Sequence, residues 1–132
     1  MGDVVSDRKY RVLILDDDEL IRELFRVALE ADGRCEVTTV SAYREAERLC
    51  QQDEFDIFFL DYHLPEGIGW NLAHKILNVR PGQRVPHVVL MSGTVNREDV
   101  CVSDRFSDKT VLFSKPFCVN ELYQLIDSLI QV

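Results

Sequence analysis

Short aliphatic runs alternate with amphipathic helical stripes along this chain, and that alternation limits what it can fold into more than any other feature. Arg11–Leu15 is a compact aliphatic run that stops at Asp16-Asp17-Asp18. Beyond it Ile21, Leu24, Phe25, Ala28 and Leu29 recur at the spacing of one helical stripe, with Arg22, Glu23, Arg26 and Glu30 on the other face and Asp32-Gly33 as the stop. A strand follows at Cys35–Val40, and Ser41 is placed to cap a helix reaching about Gln52, with Ala42, Ala46 and Leu49 as its apolar positions. Asp56–Leu60 reads as the third strand, closed by Asp61. Pro65, Gly67 and Gly69 mark His63–Gly69 as loop.

The pattern then repeats. Trp70, Ala73, Ile76 and Leu77 predict a helix that Pro81-Gly82 ends, and His87–Met91 is a fourth strand punctuated by Ser92-Gly93. Asn96–Asp108 carries only a weak stripe and predicts a short or irregular helix. Val111–Phe113 is a fifth strand, broken by Lys115-Pro116, and Val119, Leu122, Tyr123, Ile126, Leu129 and Ile130 form the stripe of a last helix. Parallel strands need crossover connections, so this order predicts an α/β protein with helices on both faces of a parallel sheet. Right-handed crossovers leave few topologies, and the expected one is a flavodoxin-like, doubly wound (βα)5 fold with a five-stranded parallel sheet of order 2-1-3-4-5. One domain over residues 10–132 follows an N-terminal tail, residues 1–9.

Composition narrows the partners. Lys and Arg total 15 against 23 Asp and Glu, a net charge of −8, so the basic stripe that displaces counterions from a nucleic acid is missing and direct nucleic-acid binding is not expected. No apolar run is long enough to span a membrane, and the first ten residues have no apolar signal core, so the chain reads as cytoplasmic with no membrane partner. Cys35, Cys50, Cys101 and Cys118 are scattered without a C-x-x-C pair, which suits small hydrophobes in a reducing compartment and gives no support to a zinc site.

The chemistry gathers at the strand ends. In an open α/β sheet, ligands bind outside the carboxyl ends of the strands, where strand order reverses. This chain puts Asp16 and Asp17 after the first strand, Asp61 after the third, Ser92 after the fourth and Lys115 after the fifth. Carboxylates converging at one rim repel one another unless a cation neutralises them, and Mg2+ is the hard cation such oxygens suit. A serine hydroxyl, an ammonium and Gly93 beside them fit a phosphoryl group, and a carboxylate can itself accept one as an aspartyl phosphate. Each piece also has a bland reading: Asp18 as a helix N-cap, Ser92-Gly93 as a turn, Lys115-Pro116 as a loop.

With these marks the chain resembles the receiver domain of two-component response regulators, the CheY-like superfamily. The resemblance rests on Leu-Ile-Leu-Asp-Asp-Asp at Leu13–Asp18, the segment Asp56–Gly69, Leu-Met-Ser-Gly at Leu90–Gly93 and Ser-Lys-Pro-Phe at Ser114–Phe117, and it covers nearly everything after Lys9. It implies that Asp61 is the phospho-acceptor, taking its phosphoryl group from a sensor histidine kinase or a histidine phosphotransfer protein. It further implies Mg2+ held by Asp16, Asp17, Asp61 and the backbone carbonyl of His63, with Ser92 as the switch hydroxyl and Lys115 as the phosphate-facing lysine. Lys115-Pro116 is expected as a cis bond. Such a domain phosphorylates itself from a phosphodonor and dephosphorylates slowly, rather than turning over a separate substrate. It would signal to a downstream protein by switching a surface around the fourth helix, fifth strand and last helix.

Some positions depart from the family pattern. The inward-turning aromatic expected three residues before the lysine is Leu112 here, with Phe113 one residue later on the other face. His63 and Thr94 occupy variable positions near the acyl phosphate, and Cys118 stands where Ser or Thr usually caps the last helix, leaving Glu121 to cap its backbone. Leu125, off the main stripe of that helix, leaves homodimerisation open. Two alternatives compete. A haloacid-dehalogenase-type phosphatase uses similar residues in a different order, with its nucleophile on the first strand, and needs a cap domain. A receiver-like interaction module would signal without phosphorylation.

Overall fold

The computed structural model describes residues 9–64, 67–68, 72–73, 75–76, 86–92, 110–115 and 117–130, with the backbone alone at residues 63, 64, 67, 68, 92, 110, 112 and 114. Strand β1 (Tyr10–Leu15) leads into helix α1 (Glu19–Asp32), β2 (Cys35–Val40), α2 (Tyr43–Gln52) and β3 (Ile57–Asp61). After β3 come the two-residue strands β4 (His63–Leu64) and β5 (Gly67–Ile68), then β6 (His87–Ser92), β7 (Thr110–Ser114) and the last helix, α3 (Val119–Ile130). Leu72, Ala73, Lys75 and Ile76 are helical as well.

The main sheet has the order β2-β1-β3-β6-β7, and every neighbouring pair is parallel. This is a flavodoxin-like arrangement: the chain moves outward from β1 to β2, then crosses back to β3, so strand order reverses between β1 and β3. Both central strands are buried on both faces, which is why they read as unbroken apolar runs rather than alternating ones. Val12, Leu13, Ile14 and Leu15 are fully buried, as are Ile57, Phe59 and Leu60.

The strand period of two sorts these side chains into two cores. On one face Val12, Ile14, Ile57, Phe59, Val89 and Met91 pack against Phe25, Ala28 and Leu29 of α1 and Leu122 and Ile126 of α3. On the other, Leu13, Leu15, Phe58, Leu60, Val88 and Leu90 meet Ala46 of α2 and the helical Leu72, Ala73 and Ile76. Each fully buried side chain of the Leu or Phe kind contributes about 2 kcal/mol of transfer free energy.

Helix α1 begins and ends on local chemistry. Asp18 is extended and its carboxylate accepts the Leu20 amide at 2.9 Å, while Gly33 stops the helix in the left-handed conformation at φ 82°. Helix α2 starts differently from the sequence reading. Its N-cap is Ala42, whose carbonyl takes the Ala46 amide, so Ser41 lies one residue outside the position from which a hydroxyl reaches the first-turn amides. The last helix keeps its expected cap: the Cys118 amide donates to the Glu121 carboxylate at 2.9 Å, and that bond to the exposed Glu121 lowers its pKa.

Three further readings need correction. His63–Gly69 is not all loop, because His63 pairs with Ile68 and Leu64 with Gly67 in an antiparallel ladder across a two-residue connection. Leu72, outside the stripe that the sequence predicts for the third helix, is fully buried and adds to its apolar face. Leu125, off the main stripe and expected to leave homodimerisation open, packs half-buried against the α1-side core of its own chain. The expected helix over Asn96–Asp108, together with Trp70, Leu77, Gly93, Thr94, Cys101 and Pro116 with its expected cis bond, lies outside the described residues. Among the described residues no helix is long and apolar enough to cross a membrane.

Candidate functional site

The site is built at the carboxyl ends of β1 and β3, next to the reversal in strand order. Pairing of Leu15 with Leu60 sets the two strand ends level, so the residues that follow, Asp16 and Asp61, arrive side by side. One carboxylate oxygen from each of Asp16, Asp17 and Asp61 fits within a mutual distance of 4.8 Å. Asp16 is 0% exposed and Asp61 7%, whereas Asp17 faces solvent.

Burying carboxylates this close is costly unless positive charge or donated hydrogen bonds accompany them. Lys115 supplies the charge. Its Nζ lies 2.6 Å from Asp16 Oδ2 and 3.8 Å from Asp61 Oδ1, bridging the two across the rim of the sheet. The other Asp16 oxygen accepts the Asp18 amide at 2.9 Å. The Asp16 backbone is held too: its amide donates to the Val40 carbonyl at 3.2 Å, and its own carbonyl accepts Nη1 of Arg22 at 2.7 Å.

Arg22 is the residue that sequence reasoning misplaced. The helical wheel put it on the outer face of α1 with Glu23, Arg26 and Glu30, yet its guanidinium turns back, half-buried, to the end of β1. The available signal was its place one turn after Asp18, whose carbonyl takes the Arg22 amide at 3.1 Å.

Lys115 reaches the site because its loop is anchored from below. Phe113 packs on Phe117 with ring centroids 4.6 Å apart, and Phe117 packs on Phe25 at 5.2 Å, tying the segment on either side of Lys115 to α1. Phe113 thus packs, half-buried, against the core between the sheet and α1. Ser92 closes β6 in register with Ser114, one residue before Lys115, so its backbone stands at the same rim. His63 follows Asp61 by two residues at the start of β4, and past Asp61 the Tyr62 amide donates to the Met91 carbonyl at 2.8 Å.

Of the residues singled out in the sequence, Asp16, Asp17, Asp61 and Lys115 are therefore brought together by their side chains, and Ser92 and His63 by chain position. Three anionic oxygens at one rim form a hard donor set that suits Mg2+ and offers nothing to a soft metal.

The family model of the response regulator receiver domain matches residues 12–127. The chain belongs to that family. Among curated relatives of this receiver domain, the KDP operon transcriptional regulatory protein KdpE of Escherichia coli K12 is 31% identical over 111 residues, 84% of this chain and 47% of KdpE. The alginate biosynthesis transcriptional regulatory protein AlgB of Pseudomonas aeruginosa is 35% identical over 83 residues, 63% of this chain and 18% of AlgB. The receiver domain thus spans less than half the length of either relative. Among solved structures, a chemotaxis response regulator of Vibrio cholerae superposes with a TM-score of 0.80 at 21% identity, covering 93% of this chain and all of that one. A CheY-like receiver domain from Methylobacillus flagellatus gives 0.77 at 20% identity over 92% of this chain and 99% of its own. These likenesses establish the fold, and the family match places the chain in two-component signalling.

Proposed function

We propose that this receiver domain accepts a phosphoryl group on Asp61 and uses it to switch a protein-binding surface. The observation that carries the reading is the cluster of Asp16, Asp17 and Asp61 with Lys115 bridging two of them. An oxygen of Asp61 attacks phosphorus, the P–N bond of a phosphohistidine breaks, and the departing imidazole nitrogen takes a proton from solvent. The donor is a sensor histidine kinase or a histidine phosphotransfer protein.

Asp16, Asp17, Asp61 and the His63 carbonyl would hold Mg2+. When bound, the ion offsets the charge that builds on the phosphoryl oxygens. The chain's own residues do the rest. Lys115, already 3.8 Å from Asp61 Oδ1, pairs with a phosphoryl oxygen once that oxygen replaces the bare carboxylate. The Ser92 hydroxyl donates to another. Hydrolysis returns Asp61 to its resting state, so the domain is its own slow phosphatase and no separate substrate is turned over.

Phosphorylation adds about two negative charges at this rim. Drawing Ser92 and Lys115 inward biases two arrangements of the surface near β7 and α3, which a downstream protein reads. The domain comprises residues 10–132, works in the cytoplasm and contacts neither nucleic acid nor membrane directly.

The test is intact mass after incubation with acetyl phosphate and Mg2+, beside Asp61→Asn and a magnesium-free control. A phosphoryl adduct that requires both Asp61 and Mg2+ is the expected result. If no adduct forms with a phosphohistidine donor and rapid quenching either, the phosphorylation reading fails and a constitutive interaction module replaces it.

A further inference from the structure

We infer that Arg22 is a positioning residue for the cation site and that it acts on the bound ion through Asp17. The inference rests on reading the Asp16, Asp17 and Asp61 cluster as a Mg2+ site. Asp16 is fully buried, so its carbonyl oxygen needs a partner inside the protein. It lies just past the end of β1, and the donor it finds is Nη1 of Arg22 at 2.7 Å. The peptide bond is planar, so holding the Asp16 carbonyl fixes the orientation of the Asp17 amide and the point from which the Asp17 side chain starts.

Asp17 depends on that more than its neighbours do. Asp16 is locked by Lys115 and by the Asp18 amide, and Asp61 is a buried strand residue beside Lys115. Asp17 is exposed, and its carboxylate makes no hydrogen bond or ion pair among the described residues. Among the described residues nothing but the backbone keeps it within reach of the other two. Without Arg22, the Asp16 carbonyl would lose its partner and the peptide would gain by rotating toward water, carrying Asp17 off the cluster.

Simple electrostatics predicts the opposite sign. The guanidinium is a fixed positive charge near a cation site, and removing it would tighten divalent binding if charge were its only contribution. Positioning predicts weaker binding. Partners of this outer kind typically change metal affinity by 10–100-fold, and we expect a loss of about 10-fold for Arg22→Gln.

The experiment titrates Mn2+, which takes the same oxygen donors as Mg2+, into the metal-free chain and reads the free ion by electron paramagnetic resonance, with displacement by Mg2+. The variants are Arg22→Gln, Arg22→Lys, Asp17→Asn and the Arg22→Gln/Asp17→Asn double variant. The expected result is weaker binding in Arg22→Gln, recovery in Arg22→Lys, and no further loss from Arg22→Gln once Asp17 is Asn, because the two changes break one path. Binding as tight as wild type or tighter in Arg22→Gln overturns the inference. So does an undiminished Arg22→Gln effect in the Asp17→Asn background, which a merely structural arginine would give. A wild-type chain that binds no Mn2+ overturns the cation reading itself, and the inference falls with it.

Discussion

Asp16 has a partner for every polar atom it owns, and it is the residue on which the site turns: Val40, Arg22, Asp18 and Lys115 take its amide, carbonyl and two carboxylate oxygens. Lys115 is the member whose loss costs most, because two buried carboxylates then face each other without a cation. Breaking a buried pair costs about 3–5 kcal/mol, and partial exposure of Lys115 brings the expectation for Lys115→Ala to about 2 kcal/mol in metal-free buffer. Urea denaturation checks the value, and added Mg2+ should recover part of the loss by replacing the missing charge. Asp61→Asn works in the other direction, removing like-charge repulsion and raising the urea midpoint. Glu121 carries a pH dependence of its own. Its bond from the Cys118 amide holds its pKa below the usual 4.5, so it favours the folded state above that pH and ceases to as the pH falls through the lowered value. Melting curves of wild type and Glu121→Gln should therefore differ at pH 7 and converge in acid.

At the scale of elements, α3 is fastened to the end of α1 by polar groups as well as by its apolar stripe. The Tyr123 hydroxyl donates to the Ala28 carbonyl at 2.8 Å, and Arg34, just beyond α1, reaches Asp127 at 2.7 Å. The tyrosine bond is part-buried, and Tyr123→Phe should cost about 1 kcal/mol in urea denaturation. The Arg34–Asp127 pair is well exposed, and double-mutant cycles on such pairs give under about 1 kcal/mol. At the end of α1, a Cβ on Gly33 would meet no atom within 4 Å, so Gly33→Ala is opposed by its positive φ alone, at about 1 kcal/mol.

For the molecule as a whole, the cores on the two faces of the sheet hold the thiols unequally. Burial raises the Cys35 thiol to about 11 and the Cys50 thiol to about 12, while Cys118 is exposed ahead of α3. Both raised thiols bind their protons more tightly in the folded chain, so stability is unaffected below about pH 9 and declines as the pH rises through the raised values. Labelling by a thiol reagent at pH 8 should find the exposed Cys118 promptly, the half-buried Cys50 more slowly, and the buried Cys35 only on unfolding. Labelling that followed the local exposure of α2 instead would show that Cys50 opens separately from the sheet.

How much of this was legible beforehand depended on whether the controlling interaction is local. Apolar periodicity placed β1, α1, β2 and α3 within a residue of where they lie, because burial on a sheet or a helix stripe writes its period directly into the chain. The caps at Asp18 and Glu121 were readable for the same reason, each being a bond between residues two or three apart. The acid cluster was readable because strand ends in a parallel sheet share one rim, so Asp16, Asp17, Asp61 and Lys115 could be assembled from topology. What needed the tertiary structure was every choice between two locally acceptable options. Gly67 and Pro65 signal a turn equally well in a loop or in the β4–β5 ladder. An arginine on a helix wheel looks solvated until the buried carbonyl of Asp16, six residues earlier in the chain, claims it. Leu125 looks free by its place off the stripe, yet it packs half-buried against the core on the α1 side of the sheet. Periodicity records which face an element buries; which partner a polar atom finds there is settled only by packing, even when, as for Arg22 and Asp16, the two residues are close in sequence.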